Sequence, residues 1–452
     1  MRAPGRLTGL GVAVNALALF AALRPADIPI LPLGAIIFAY AGLVTYDVFR
    51  SRGDPRVLSP ALLLGHMTLV FYFVCPGIFL LTGPMGQAPY YFYDDWITYN
   101  GSHAKYLLLQ FSALLMLFTT VFPTPSVVTF AAPSDRRTRR TVIAAAIMTA
   151  MAASAFKFLE TRGVSVIATG AGAQIWAAAL PIALFGVSVS AIYALEETRR
   201  IRIAVLLGTA ACIGMLLVSD LARLPVSFLA FLGIAILVIR KYRLRRFLGY
   251  SLAIAGLIVA LTAAAATYRN FHHHASVATI FANKIASKLL LRQTVSGWCL
   301  EEARDRHWEG YIPGSYLNLV SGLVPRVLWP DKPDLSRGTY YAVEYCYANV
   351  NARNPHSEAL TLLAEPLMEG GREGLFVGEA IILAFLAFAT WIMFRSGAAG
   401  LVTGVALLPW LTGVEQHLSY YLANCVKMGL FILPFALALH WYVRRAERKR
   451  VE

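Results

Sequence analysis

The sequence predicts an all-α, polytopic integral membrane protein with about 12 transmembrane helices and one large outer loop that carries short helices. Three observations predict this class. The 452 residues are 58% hydrophobic, with a mean hydropathy of +0.60. Only 14% of them are charged, whereas soluble globular proteins average about 25%. Apolar runs of spanning length recur along the chain. The composition excludes an ordinary soluble enzyme, a disordered chain and a nucleic-acid-binding protein.

Each predicted span is an apolar run that can cross the hydrocarbon core, which is about 30 Å thick and needs roughly 20 helical residues. Helices are expected because unpaired backbone groups are too costly in lipid. In chain order, the spans cover residues 7–23, 28–46, 61–82, 105–122, 141–159, 174–194, 203–219, 225–239, 247–267, 375–394, 400–414 and 418–442. No repeat or low-complexity linker divides them, so residues 1–452 are predicted to form one transmembrane domain.

Arginine and lysine collect in alternate loops. When the N-terminus is placed inside, 23 of the 40 basic residues fall in the inner loops and the two termini. The short loops on the other side hold almost none. Short loops rich in Lys and Arg remain cytoplasmic. Both termini are therefore predicted to be cytoplasmic, and much of the net charge of +15 is a topology signal.

One predicted outer loop is far longer than the others. From Tyr268 to Gly374, 107 residues contain no clear span. They include 11 Lys and Arg and 11 Asp and Glu, so the loop is neutral overall. Loops of this length in a compact fold are usually functional. Residues 268–374, called the insert below, are therefore the expected place for the chemistry, on the outer face.

A second outer loop, predicted over residues 83–104, holds Asp94 and Asp95 among four aromatic residues at 90–93 and Trp96. Aromatic rings could stack on the apolar face of a sugar while the carboxylates accept its hydroxyls. An aromatic belt with solvated acidic residues explains the same pattern. Asp94 and Asp95 are candidate sugar-binding residues on the first interpretation.

Within the insert, Lys284, Lys288 and Arg292 recur every four residues along a stretch that favours helix. This spacing places the three cations on nearly one face. Such a stripe suits a phosphate or diphosphate head group at a membrane surface. An interfacial helix whose cations reach toward lipid phosphates explains it equally.

The segment 325–333 contains three prolines, which exclude a continuous helix and stiffen the backbone. A rigid turn would orient Arg326, Asp331 and Lys332 before substrate arrives. Trp329 in the same turn suits the membrane interface. The alternative is a structural corner in which Arg326 pairs with Asp331.

This Pro-Arg-x-x-Trp-Pro-Asp-Lys-Pro stretch, in the large outer loop of a multi-span protein, resembles the Wzy-type polymerases of O-antigen and exopolysaccharide repeat units. The family pattern continues with a segment containing Gly and Thr, then a Glu, a Gly-rich turn and the next span. Here residues 337–339 read Arg-Gly-Thr, Glu365 follows, and 370–374 precede the span. The resemblance is specific over 325–380. Elsewhere it covers span count and loop position.

The resemblance implies a glycosyltransferase at the outer, periplasmic face of the bacterial inner membrane. A glycan would pass from undecaprenyl diphosphate to the non-reducing end of another lipid-linked repeat unit. The implied partners are the lipid-linked donor and acceptor and the bilayer, with a chain-length regulator left open and no nucleic acid. No cofactor is implied, and metal independence is the default expectation.

The resemblance also implies functions for individual residues. A lipid diphosphate leaves as an anion, so fixed cations should stabilise it. The candidates are Arg326, Lys332 and Arg337, and less firmly Lys288 and Arg292. A carboxylate or an imidazole should take the proton of the attacking hydroxyl. The candidates are Glu365, His356, Asp331 and Glu369, with Glu365 and His356 ranked first.

Two other functions remain open. An O-antigen ligase would share the donor site and differ in its acceptor. A lipid-linked oligosaccharide flippase or transporter could have the same number of spans, but transporters tend to show two matching halves and midplane sites. No such symmetry is evident here. Cys299 and Cys346 share the insert and could pair in an oxidising compartment, or could remain two free thiols.

Overall fold

The computed structural model describes residues 5–23, 30–50, 54–74, 91–121, 135–161, 170–218, 223–241, 361–395, 397–414 and 416–451, with single positions between 246 and 331. All regular secondary structure in these ranges is helical, which confirms the all-α class. The α-helices are α1 (Gly5–Leu23), α2 (Ile30–Arg50), α3 (Pro60–Leu69), α4 (Tyr91–Val121), α5 (Arg136–Thr161), α6 (Gly170–Tyr193), α7 (Arg199–Val218), α8 (Arg223–Ile239), α9 (Ala364–Arg395), α10 (Gly397–Leu411) and α11 (Leu418–Val451).

Seven of the described helices are long and apolar enough to cross a membrane. Four shorter apolar helices, α1, α3, α8 and α10, accompany them. Together these eleven correspond to eleven of the predicted spans. Most of the predicted span 247–267 falls outside the described residues, so the count of 12 stays a prediction.

Three helices extend beyond the predicted spans. α4 begins at Tyr91, so residues 91–104 of the predicted outer loop are helical. α9 begins at Ala364, inside the insert, and α11 continues to Val451. The predicted spans at these helices agree to within a few residues with the apolar windows Ala104–Val121, Glu373–Arg395 and Leu418–Ala446. Hydropathy marks only this part of a helix, and the helical backbone continues beyond it.

The short helix α10 lies at the centre of the second half of the bundle. It packs against α6, α8, α9 and α11. Its residues Leu401, Val402, Val405 and Leu408 are at most 2% exposed. In the rest of the bundle, α1, α2 and α3 pack on α4, and α6 and α7 pack on α5. An apolar helix buried on all sides is typical of the core of a large membrane bundle.

The bundle has two chemically different ends. At one end Arg56 contacts Asp47 of α2 at 3.2 Å, Arg139 contacts Glu197, and Arg240 follows α8. We call this the basic end. Residues 60–74 run from the basic end to Tyr72, and the Tyr72 hydroxyl donates to the Val414 carbonyl, so the turn before α11 lies at the opposite end. In the sequence-based topology the basic end is cytoplasmic.

Candidate functional site

Glu365 lies in the first turn of α9, at the end opposite the basic end, and is 2% exposed. Both of its carboxylate oxygens accept hydrogen bonds from Ser419. The Ser419 backbone N–H donates to Oε2 at 2.8 Å, and the Ser419 hydroxyl donates to Oε1 at 2.7 Å. Ser419 is the second residue of α11, where backbone N–H groups have no partner within the helix. The Glu365 carboxylate therefore caps α11, where the helix dipole favours a negative charge.

A sharp bend divides α9 into a short arm, residues 364–370, and a long arm, residues 373–395. Gly371 has φ 54° and ψ −138°, a conformation that residues with a side chain rarely adopt. A Cβ on Gly374 would overlap the Pro366 carbonyl, and a Cβ on Gly378 would overlap the Pro366 ring. The short arm therefore folds back onto the long arm. This bend carries Glu365 to the start of α11.

The turn between α10 and α11 is held by two tyrosines. The Tyr421 hydroxyl donates to the Leu411 carbonyl at 2.8 Å. The Tyr72 hydroxyl donates to the Val414 carbonyl at 3.4 Å. His417 precedes α11 and is 5% exposed. These contacts fix the start of α11, so Ser419, which donates to Glu365, is held in position without a ligand.

A second buried carboxylate, Glu379, lies in the long arm of α9 and is 7% exposed. The Asn15 amide of α1 donates to Glu379 Oε1 at 3.1 Å, and the Ser112 hydroxyl of α4 donates to Asn15 Oδ1 at 2.9 Å. Among the described residues, no ion pair involves Glu379. Ionisable residues inside the membrane are costly and tend to mark functional pathways. Glu379 is therefore a second candidate functional residue.

The bend of α9 packs the residue after Glu365 against the residue before Glu379. Pro366, which follows Glu365, packs on Gly378, which precedes Glu379. Each carboxylate oxygen has two lone pairs and can accept more than one hydrogen bond. Glu365 at the end of the bundle and Glu379 within it can therefore each bind a hydroxyl group or hold a proton.

Most other predicted site residues lie outside the described ranges. Asp331 is exposed, and Trp329 nearby is 42% exposed. Asp94 and Asp95 lie in the first two turns of α4, a helix where a loop is predicted. Their side chains are not among those described, and sugar binding there stays a prediction. Outside the described ranges lie Arg326, His356, Lys332, Arg337, Lys288 and Arg292.

Two buried charged residues, Glu379 and Lys157, were not predicted as candidates from the sequence. Lys157 lies in the apolar helix α5, is 1% exposed, and has Glu160 within electrostatic reach on the same helix. Averaging hydropathy over a span hides a single charge. The available signal is the charge itself, because an ionisable residue inside an apolar run suggests a functional site.

Within the described part of the chain, no group of three or more His, Cys, Asp or Glu side chains could hold a metal ion. Metal independence stays a prediction. Cys212 and Cys425 are buried free thiols. Cys299 and Cys346, the two candidates for a disulfide, lie outside the described residues.

No protein-family model, curated protein or solved structure matches the chain. The functional assignment therefore depends on the chemistry of these residues and on the resemblance carried by residues 325–380.

Proposed function

We propose that the protein is a membrane glycosyltransferase that polymerises oligosaccharide repeat units carried on undecaprenyl diphosphate. The observation that carries this proposal is the order of features along the insert. The Pro-Arg-x-x-Trp-Pro-Asp-Lys-Pro stretch is followed by the buried carboxylate of Glu365, by the bend at Gly371 and by the long arm of α9. This is the order in which the resembled polymerases arrange them. The insert is the periplasmic segment in this proposal.

In the proposed reaction, the hydroxyl oxygen of one lipid-linked repeat unit attacks the anomeric carbon of another. The new glycosidic bond forms as the bond between that carbon and the diphosphate oxygen breaks. The electron pair leaves with the lipid diphosphate, and the hydroxyl proton passes to a base. The leaving group is already anionic, so the protein must stabilise charge and does not need to protonate the leaving group.

Arg326, Lys332 and Arg337 are the proposed diphosphate-binding cations, assisted by Lys288 and Arg292. Guanidinium groups bind two phosphate oxygens at once, which fixes the orientation of the leaving group. Asp331 is exposed beside Arg326 and Lys332 in sequence. Its carboxylate would limit the repulsion between neighbouring cations before substrate binds.

Glu365 and His356 are the proposed proton acceptors. A carboxylate oxygen can accept more than one hydrogen bond, so the two bonds from Ser419 do not by themselves exclude proton transfer. The Glu365 residue is 2% exposed, so neighbouring groups would have to move before a sugar hydroxyl could reach the carboxylate. Glu365 contributes to the proposed site in either case, because it fixes the start of α11.

A transporter of lipid-linked oligosaccharides is the second candidate. The observation that favours it is the hydrogen-bonded chain from Glu379 through Asn15 to Ser112, which joins three helices inside the bundle. Polar groups at this depth are typical of substrate or ion pathways. A ligase that moves finished glycan to another acceptor is the third candidate, since it would use the same donor chemistry.

Deletion of the gene, followed by gel analysis of surface glycans, separates the three candidates. A polymerase predicts glycan of a single repeat unit in the deletion strain. Loss of all attached glycan would indicate a ligase, and accumulation of lipid-linked units on the cytosolic side would indicate a flippase. Full-length glycan in the deletion strain would contradict all three.

A further inference from the structure

The turn between α6 and α7, residues 194–198, is surrounded by arginines from three parts of the chain. They come from the start of α5, the start of α7 and the end of α8. We call this group the guanidinium cluster, and it consists of Arg136, Arg139, Arg140, Arg202 and Arg240. It lies at the basic end of the bundle.

Glu197 is the centre of the guanidinium cluster, and its side chain is 0% exposed. Arg139 Nε donates to Glu197 Oε1 at 2.8 Å, and Arg140 Nε donates to Oε2 at 3.2 Å. Arg202 Nε donates to the Glu197 backbone carbonyl at 2.9 Å. Arg136 Nε lies 3.7 Å from Oε2. One buried residue therefore orients four guanidinium groups.

Two neighbours of Glu197 in the turn, Leu195 and Glu196, also contact arginines of the cluster. Arg240 Nη2 donates to the Leu195 carbonyl at 2.9 Å, which ties the end of α8 to the turn. Arg139 Nη1 also contacts Glu196 Oε2 at 3.3 Å. Burial alone would raise the pKa of Glu197. Hydrogen bonds from Arg139 and Arg140 outweigh burial and hold the pKa of Glu197 below its ordinary value.

The guanidinium cluster carries more positive charge than the turn neutralises. Five arginines face two carboxylates, those of Glu196 and Glu197. The surplus is directed outward, because the side chains of Arg136 and Arg140 are 58% and 45% exposed. An anion that binds these two groups would therefore relieve repulsion without disturbing the buried carboxylate.

The position of the guanidinium cluster indicates which anion is available. Apolar spans begin at Arg136 and at Arg199, so the cluster lies where an apolar helix leaves the hydrocarbon. Phospholipid head groups occupy this level. Guanidinium groups bind phosphate through paired hydrogen bonds, and basic residues near a membrane attract anionic lipids.

We propose that the guanidinium cluster binds the phosphate of an anionic phospholipid head group at the basic end. Arg136 and Arg140 contact the phosphate, and Glu197 positions them. This site is separate from the proposed glycosyl-transfer site and does not depend on it.

The test measures binding of phosphatidylglycerol to the purified full-length protein by native mass spectrometry, with phosphatidylcholine as the zwitterionic reference. The double variant Arg136→Ala, Arg140→Ala should lower the phosphatidylglycerol affinity by about 25-fold, since each basic residue near an anionic surface contributes about fivefold. The control, Arg444→Ala with Arg448→Ala, removes the same charge from exposed positions of α11. The control should leave most of the binding. Equal losses in the two pairs would overturn the proposal.

Glu197→Gln separates an organised site from diffuse attraction. This change makes the protein more positive, so diffuse attraction predicts tighter phosphatidylglycerol binding. An organised site predicts weaker binding, because Arg136 and Arg140 lose the carboxylate that orients them. Unchanged or tighter binding would contradict the positioning by Glu197. If Glu197→Gln does not fold, the exposed double variant decides the outcome. Excess inorganic phosphate should not displace the lipid, and displacement would assign the site to a soluble anion.

Discussion

The cap of α11 by Glu365 can be tested through Ser419, which donates to both carboxylate oxygens. Ser419→Ala removes the hydroxyl that donates to Oε1 at 2.7 Å and keeps the backbone N–H that donates to Oε2. Glu365→Gln keeps the size of the side chain and removes its charge from the N-terminus of the helix. Both substitutions should destabilise the protein.

The expected size follows from the geometry. A hydrogen bond to a charged group contributes about 1.5–3 kcal/mol, and alanine is favoured over serine in a helix by about 0.5 kcal/mol. Ser419→Ala should therefore lower the free energy of unfolding by about 1–2.5 kcal/mol. Glu365→Gln should lower it by about 1–2 kcal/mol, through weaker hydrogen bonds and the lost interaction with the helix dipole.

Thermal unfolding of the purified protein in detergent measures these effects. Glu373→Gln is the matched control, because Glu373 is an exposed carboxylate on the same helix. We expect the two cap variants to unfold at lower temperature than the control. Unfolding temperatures equal to the control would refute the capping argument. Polymer synthesis at matched amounts of folded protein then tests the proton acceptor. A loss of about 10²–10⁴-fold in Glu365→Gln, but not in Ser419→Ala, would identify a general base.

Three further predictions concern separate parts of the molecule. Gly374→Ala should lower the unfolding temperature, because the Pro366 carbonyl occupies the space of the new Cβ. The control Gly214→Ala meets nothing within 4 Å and should preserve or raise the unfolding temperature. Equal shifts in the two variants would contradict the close packing at the bend. The pKa of Glu197 lies below its ordinary value because arginine hydrogen bonds outweigh burial. The ionised form of Glu197 therefore stabilises the fold fully above the unfolded pKa of about 4.3. This stabilisation is lost as the pH falls through the lower pKa of the folded state. The unfolding temperature should therefore fall more steeply in wild type than in Glu197→Gln on acidification, and parallel curves would contradict this sign. Arg326→Ala should abolish polymer while the protein remains in the membrane, as checked by glycan gels and membrane fractionation, and wild-type polymer would exclude Arg326 from the proposed mechanism.

The helices were largely predictable because hydropathy and helix length report directly on the cost of placing backbone in lipid. The Gly-rich turn before the long arm of α9 was also predictable, and the bend falls at Gly371. Helix ends were less predictable. α4 begins at Tyr91, well before the apolar window that starts at Ala104, and hydropathy carries no signal for this extension.

The contacts that define the candidate site could not be predicted from the sequence alone. Glu365 was a candidate because of its place in the insert, but its cap on Ser419 depends on how α9 bends toward α11. The bond between Asn15 and Glu379 joins residues at opposite ends of the chain. A single sequence carries no signal for such a pair beyond the presence of a carboxylate in an apolar helix.

The account depends most directly on which side of the membrane the insert faces. The test uses two single-cysteine variants of a chain whose native cysteines are replaced by serine. They are Asp331→Cys in the insert and Lys241→Cys at the basic end, and both positions are exposed. A membrane-impermeant maleimide applied to intact spheroplasts should label the cysteine at position 331 and should reach position 241 only after permeabilisation. Labelling of position 241 but not position 331 in intact spheroplasts would place the insert in the cytosol and contradict the proposed glycosyl transfer at the periplasmic face.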